Sequence, residues 1–298
     1  MSDHRGARIR TGDLTDPNGA RYQAAPRPEE GSQYPIGPGF ASVRTMATRR
    51  EIIEELDRLL EAESFRDYCP NGLQVAGRDE VTRVATGVSA SAELLEQALA
   101  RGADLVLTHH GLFWEGDDRR VIGSLRRRLG LLLEADASLA AYHLPLDAHA
   151  TLGNNALIAA GIGASLGEPF GIAAGRPCGW SARFDGAGVT PDELKARVAR
   201  LTGREPLAFL DGPELVRNVG IVSGGAAKLV SEAVAAGLDA FITGEPAEPS
   251  RAIARESAIH FIAAGHHATE TLGVRALGEH LVTRFGVEHS YIEIANPV

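Results

Sequence analysis

VTRVATGVSASAELLEQALARGADLVLTHHG, residues 81–111, reads as a strand, a turn, a helix, a glycine stop and a second strand. A near copy, VRNVGIVSGGAAKLVSEAVAAGLDAFITGEP, occupies residues 216–246. The two align without a gap at an offset of 135. Val84 meets Val219, Ala98 meets Ala233, Gly102 meets Gly237, Asp104 meets Asp239 and Thr108 meets Thr243. The closing strands, LVLT and AFIT, are short apolar runs of the kind buried in parallel sheets. Gly102 and Gly237 stand where a helix ends in a left-handed residue, a conformation that penalises a Cβ. Generic strand–helix–strand units resemble one another, but the matched aspartate and threonine favour internal duplication. A helix and a further strand follow each copy. The fold expected is α/β, in two lobes with a site in the cleft between them.

The copies differ at their last corner, where His109-His110 corresponds to Gly244-Glu245. Beyond the next strands lie AAYHLPLDAHA and AAGHHATETLGV. In the first, His143 precedes Asp147 by four; in the second, His266 precedes Glu270 by four, at an offset of 123 from the first pair. Each group sits at a strand's carboxyl end, where open α/β sheets bind ligands. Neutral imidazoles and carboxylates together bind divalent zinc, manganese, iron or nickel, and a carboxylate can bridge two ions. Residues four apart share a helical face, so His266 and Glu270 can reach one ion. The start of the helix after them favours an ionised Glu270. The competing reading is scattered polar loop residues, with Asp147 and Glu270 as helix-capping acids. Three groups that each follow an apolar run argue against it.

Other residues leave two readings open. His143 either orients Asp147 or binds substrate. Glu245 is either a general base or a strand-end carboxylate. Ser89 and Ser91 either line the cleft or cap the next helix, and capping is preferred. The turn at Ser223 to Gly225 resembles a phosphate cradle on slender grounds. Phe113 and Trp114 read as packing beside the site, and His149, His260, His280 and His289 as structural or surface residues.

Composition narrows the class. Of 298 residues, 44% are hydrophobic and 23% charged, as in a soluble globular protein. The net charge of -9, with no lysine/arginine block, disfavours duplex nucleic acid as a partner. Cys69 and Cys178 are the only cysteines, which points to a reducing cytoplasm and no disulfide framework. No apolar run reaches membrane-spanning length. Residues 1–45 hold Pro17, Pro26, Pro28, Pro35 and Pro38 and few large apolar side chains, so they read as a disordered extension. Met46 then reads as a natural start, before the amphipathic run ATRREIIEELDRLLEA. Thr190 and Pro191 open a helix, CGWSARF and SYIEI read as strands, and ATETLGVRALGEHLVTRFG as one long helix. The boundaries expected are 46–165 plus 255–298 for the first lobe and 166–254 for the second.

CPNGLQVAG, VATGVSAS, ADLVLTHHGLFW, HLPLDAH, GNNALIAA, VGIVSGGA, DAFITGE and AGHHATETLGVRAL form a recognisable set from about residue 67 to 280. On these segments the chain resembles the Nif-three-like dinuclear-metal-centre family, GTP cyclohydrolase 1 type 2 homologues, in its YbgI-like branch. The resemblance implies two intertwined three-layer α/β/α lobes and a toroidal homohexamer built as a trimer of dimers. It also implies two divalent ions per subunit. His109 and Asp147 would hold one, His110 and His266 the other, and Glu270 would bridge them. His267 stands where the family often has another residue and competes with His266, but the spacing to Glu270 favours His266. The activity expected is metal-dependent hydrolysis by an activated water, on a nucleotide, phosphoester or amide, with opening of the guanine ring of GTP as the reaction in the family label. The alternative is a non-enzymatic metal-binding scaffold or partner-binding protein. Five ligands shared by two ions leave positions for water or substrate, which favours the hydrolase.

Overall fold

Thr48 caps the first helix. Its hydroxyl accepts the N–H of Glu51, and the Glu51 carboxylate accepts the N–H of Thr48, a reciprocal cap. The computed structural model describes residues 47–298. The disordered extension expected over 1–45, and Met46, lie outside the described residues.

Strand β1 (Ala47–Thr48) leads into helix α1 (Arg49–Leu59). The chain continues through β2 (Gly72–Val75), β3 (Glu80–Val81), β4 (Arg83–Ser89), α2 (Ala92–Ala100), β5 (Leu105–His110), α3 (Gly123–Glu134), β6 (Ser138–Ala141), α4 (Leu144–Ala148) and α5 (Asn154–Gly161). Then come β7 (Ser165–Ala173), β8 (Arg176–Arg183), α6 (Pro191–Thr202), β9 (Leu207–Leu210), β10 (Asn218–Ile221), α7 (Val230–Ala235) and β11 (Ala240–Thr243). The last elements are α8 (Ser250–Glu256), β12 (His260–Ala263), α9 (His266–Thr269), α10 (Thr271–Phe285) and β13 (Glu288–Tyr291).

These strands make a five-stranded sheet, β13-β4-β5-β6-β2, and a six-stranded sheet, β7-β8-β10-β11-β12-β9, with β1 and β3 paired apart. Side chains alternate across a strand, so each sheet buries both faces. Val84, Leu105 and Leu107 pack with Ile52 and Leu56 of α1 and Val274 and Leu277 of α10. Their neighbours Ala85 and Val106 face the other way, onto Leu94 and Leu95 of α2 and Leu132 of α3. In the second sheet Val219, Ile242 and Ile262 meet Ile158 of α5 and Leu194 of α6. On its other face Phe241 and Phe261 meet Val230 and Ala233 of α7 and Ala254 of α8. Each fully buried side chain of this size contributes about 1.5–3 kcal/mol. The architecture is therefore two α/β/α sandwiches. The chain leaves the first sheet after β6 and returns to it through α10 and β13, which pairs with β4.

The two sequence copies adopt the same local geometry. β4 pairs parallel with β5, Val84 opposite Leu105; β10 pairs parallel with β11, Val219 opposite Ala240. The Asp104 carboxylate accepts the N–H groups of Thr82 and Arg83, and the Asp239 carboxylate accepts those of Arg217 and Asn218. That shared role explains the matched aspartate. Ser91 and Thr190 cap α2 and α6 with their hydroxyls, as their positions predict.

Four expectations need correction. Residues 255–263 do not join the first lobe, because β12 pairs with β11 and β9 in the six-stranded sheet. The chain returns to the first sheet only after that strand. The next pair of copies is also in a different register from the one expected. Leu105 lies opposite Ser138 and Ala240 opposite His260, so the sheets equate His143 with Gly265 and Asp147 with Thr269. The long helix breaks at Glu270 between α9 and α10. The final strand is centred earlier than SYIEI, at Glu288–Tyr291, to stay in register with β4. Among the described residues no helix is long and apolar enough to cross a membrane.

Candidate metal centre

Every candidate ligand follows a parallel strand. His109 and His110 close β5, Asp147 lies in α4 after β6, and His266 and Glu270 follow β12. The turn at Ser223 to Gly225 follows β10, and Glu245 follows β11. The carboxyl ends of both sheets thus contribute to one place.

The geometry there leaves room for cations. His109 is wholly buried, and its Nδ1 donates to the Tyr142 carbonyl at 2.9 Å. The ring then turns Nε2 toward Asp147 Oδ2 at 3.6 Å and Glu270 Oε1 at 3.5 Å. His110 Nε2 lies 3.2 Å from Glu270 Oε2, and His266 Nε2 lies 3.2 Å from Glu270 Oε1. His109 Nε2 and Glu270 Oε2 are buried without a hydrogen-bond partner. Buried polar atoms are rarely left this way. Two donors about 2.1 Å from a tetrahedral ion stand about 3.4 Å apart. The spacings seen here match that separation better than they match hydrogen bonds. His109, Asp147 and Glu270 form one such group, and His110, His266 and Glu270 another. Glu270 belongs to both.

Electrostatics agree. Burial pushes the His109 imidazolium toward losing its proton, but the Asp147 and Glu270 carboxylates outweigh it and hold the pKa up at about 9. For His266, burial likewise opposes the charge, and Glu270 and Glu245 raise the pKa to about 9. Both carboxylate-facing nitrogens therefore sit where positive charge is favoured. His110 goes the other way. Burial, helped by His109, His143 and His266, overrides Glu270 and pushes it down to about 3, so its ring is a neutral donor. Burial raises the Asp147 pKa, seconded by Glu270 and opposed by His109. Burial also opposes charge on Glu270, yet His109 and His110 hold it well below the usual carboxylate range.

A second layer of residues orients the donors, as metal sites require. Asp147 Oδ1 accepts from Asn154 Nδ2 at 2.8 Å and Ser223 Oγ at 2.9 Å, leaving Oδ2 free for the centre. Ser89 Oγ lies 3.0 Å from His110 Nδ1, while Ser91 does the capping. Glu245 Oε1 engages His266 Nδ1, so Nε2 is the face turned to Glu270. Glu245 thus positions His266, whatever else it does. Gly224 has φ +65°, and a Cβ there would lie 2.3 Å from Glu270 Oε1. Only glycine lets this turn approach the Glu270 carboxylate so closely.

His143 stands at the rim. Its Nδ1 pairs with Asp67 at 2.8 Å, and its ring lies 5.1 Å from His109 and 5.2 Å from Trp114. His267 is the one candidate placed elsewhere. Its Nε2 pairs with Glu293 at 2.9 Å and its N–H with the Val298 carbonyl, so it is tied to the C-terminal segment and is no part of the centre. Adjacent residues at the start of a helix project about a hundred degrees apart, which separates it from His266. Asp67, whose side chain is buried and which is 76 residues from its partner His143, has no spacing that would mark it in the sequence. It stands just before the CPNG motif, the only available hint.

Fold and donor set define a class: an α/β protein whose two sheets converge on a buried histidine–carboxylate centre suited to divalent metal. A family model for Duf34/NIF3 (NGG1p interacting factor 3) matches residues 47–297. The chain is 45% identical over 247 residues to the GTP cyclohydrolase 1 type 2 homolog of Pseudomonas aeruginosa, covering 83% of this chain and 97% of that one. It is 43% identical over 254 residues to the protein of the same name in Escherichia coli K12, covering 83% and 98%. Among solved structures, protein ybgI, described as of unknown function, aligns with TM-score 0.79 at 40% identity, covering 84% of this chain and 100% of that one. TTHA1606 from Thermus thermophilus aligns at 0.76 and 34% identity, covering 84% and 100%. The chain belongs to the Duf34/NIF3 family.

Proposed function

We propose that the chain is a hydrolase dependent on two divalent ions. His109 and Asp147 hold one ion, His110 and His266 the other, and Glu270 is shared. The observation that carries this reading is the buried, unpartnered His109 Nε2 facing two carboxylates, with a second triad built on the same Glu270. Zinc, manganese, iron and nickel all suit these donors. When bound, such a pair supplies an acidified water and charge stabilisation for hydrolysis. The protein's own groups fix the donors: Asn154 and Ser223 on Asp147, Ser89 on His110, Glu245 on His266. His143, held by Asp67, lies beside His109 and Trp114, where it would orient Asp147 or contact substrate. The name shared by the curated relatives points to the guanine ring of GTP as substrate, and nucleotides and phosphoesters fit the same chemistry. The toroidal hexamer is part of the proposal and is read directly by light scattering.

The test is a hydrolysis screen on metal-loaded, metal-stripped and reloaded protein, with GTP and a panel of phosphoesters. Activity that disappears on stripping and returns on reloading is the expected result. Turnover that is indifferent to metal, or none on any substrate with the centre filled, favours the scaffold reading instead.

A further inference from the structure

Arg128, on α3, has a buried Nε with no hydrogen-bond partner. Among the described residues its guanidinium makes no hydrogen bond or ion pair. Its neighbour Arg127 behaves as a surface arginine should, 65% exposed and paired with Glu96 at 2.5 Å. A guanidinium has five donors in a planar fork and binds oxyanions bidentately. A buried donor left unsatisfied carries a desolvation penalty that a ligand oxygen would relieve.

Arg128 borders a cavity of about 350 Å³ whose wall also includes Ser89, Ser91, Trp114, His110 and His266. The last two belong to the candidate metal centre. No carboxylate lines this cavity. Of the acidic groups of the centre, Asp147 and Glu270 are buried, and Glu245, which is 40% exposed, is engaged with His266 Nδ1. On the same wall Ser89 Oγ lies 3.0 Å from His110 Nδ1. The wall therefore offers donors and positive charge, and its one long cation is unspent.

We propose that this cavity binds the phosphate group of the substrate, with Arg128 as its anchoring cation, so that the substrate is a phosphate ester. The inference rests on the metal-centre reading above and narrows its substrate class. A phosphate has enough oxygens to meet the guanidinium fork, the serine hydroxyls and the metal side together. A carboxylate has only two. The organic part of the ester then extends past Trp114, which also borders a larger cavity of about 670 Å³ lined by Tyr68 and Phe113.

The experiment is calorimetric titration of inorganic phosphate into the manganese-loaded full chain, with metal content measured in each sample. The parent is compared with Arg128→Ala, Arg128→Lys and Arg127→Ala. Phosphate affinity is expected to fall about tenfold or more in Arg128→Ala, as for loss of a charge-assisted pair. It should recover in part in Arg128→Lys and stay unchanged in Arg127→Ala, at equal metal content throughout. Acetate should bind more weakly than phosphate. The proposal is overturned by any of four results: Arg128→Ala binds phosphate as the parent does, Arg127→Ala loses as much, the parent binds acetate equally well, or the parent binds no phosphate. If the parent takes up no metal, the metal-centre reading fails by itself. The same comparison on metal-free protein then decides the phosphate site, with a tenfold loss in Arg128→Ala supporting it and no loss overturning it.

Discussion

At the end of β5 the chain carries His109 and His110; at the matching end of β11 it carries Gly244 and Glu245. The backbone around the two corners is alike, down to strand register and the aspartate that ties each unit's first strand to its second. The first corner supplies donors. The second supplies space and orientation. A Cβ on Gly244 would lie 2.6 Å from the His266 Cα, so the bare backbone lets α9 begin against this turn. Glu245 then fixes the His266 ring. Two residues at one position of a repeated frame therefore decide which corner contributes candidate ligands and which contributes their support. The backbone unit sets where a site can be, and the corner residues set what it does.

The largest effect should come from the group that both halves share. Glu270→Gln removes a charged ligand from both triads and leaves two cations poorly compensated at short range. Metal affinity should fall by at least about 100-fold, beyond the loss that follows removal of an orienting partner. The apo fold should survive on its apolar sheets. His110→Ala, which touches one triad, should retain about one ion, as its partner site keeps its own ligands. Elemental analysis after dialysis reads both. Equal losses in the two variants would break the division into shared and single ligands.

A supporting corner should matter less than a ligand corner. Glu245→Gln keeps the bulk but weakens the charge that orients His266, so metal affinity should fall about 10–100-fold. A loss as large as that of Glu270→Gln would make Glu245 a ligand itself.

Backbone space can be tested in the same way. Gly224→Ala places a Cβ against Glu270 and strains a left-handed turn, at a cost of about 1–3 kcal/mol in stability, with metal lost as well. Gly237→Ala has φ +67° and nothing within 4 Å of its Cβ, so it should cost about 1–2 kcal/mol and leave metal content untouched. Thermal melts and metal analysis of the pair separate backbone strain from loss of the centre.

The mildest handle is pH. In the metal-free protein His109 and His266 have pKa values of about 9, above the ordinary imidazole value of 6.5. The folded state then holds protons that the unfolded state has released. This stabilisation is fully present below pH 6.5 and is lost as pH rises through 9, with a slope of at most about 1.4 kcal/mol per pH unit for each ring. Metal must displace the same protons, so metal affinity should run the opposite way and increase across that window. Apo stability that rises from pH 6.5 to 9 would contradict the assignment of these two rings.

The parts legible in the sequence were those written in local pattern. Apolar runs ending in His109-His110, or leading to Asp147, His266 and Glu270, could be read because strand, strand end and donor are contiguous in the chain. The glycine after α2 and the capping roles of Ser91 and Thr190 are local in the same sense. What escaped is tertiary. Asp67 meets His143 only through the fold, and nothing local in α3 marks Arg128 as lining a cavity. The closeness of Gly224 to Glu270 is likewise set by the fold and not by the glycine turn itself. The placement of β12 depends on which neighbour completes its hydrogen bonds, and a four-residue apolar run does not specify that. His267 shows the converse, a histidine in the right motif whose direction along the helix takes it to Glu293.

The central claim is that one carboxylate serves two metal-binding triads. The most direct measurement is the metal stoichiometry of the reloaded parent chain by elemental analysis, with anomalous scattering to locate the ions. Two ions per chain are predicted, about 3.5–4 Å apart as in known two-metal sites, with Glu270 between them. One ion per chain at saturation, giving a single anomalous peak, would contradict the account.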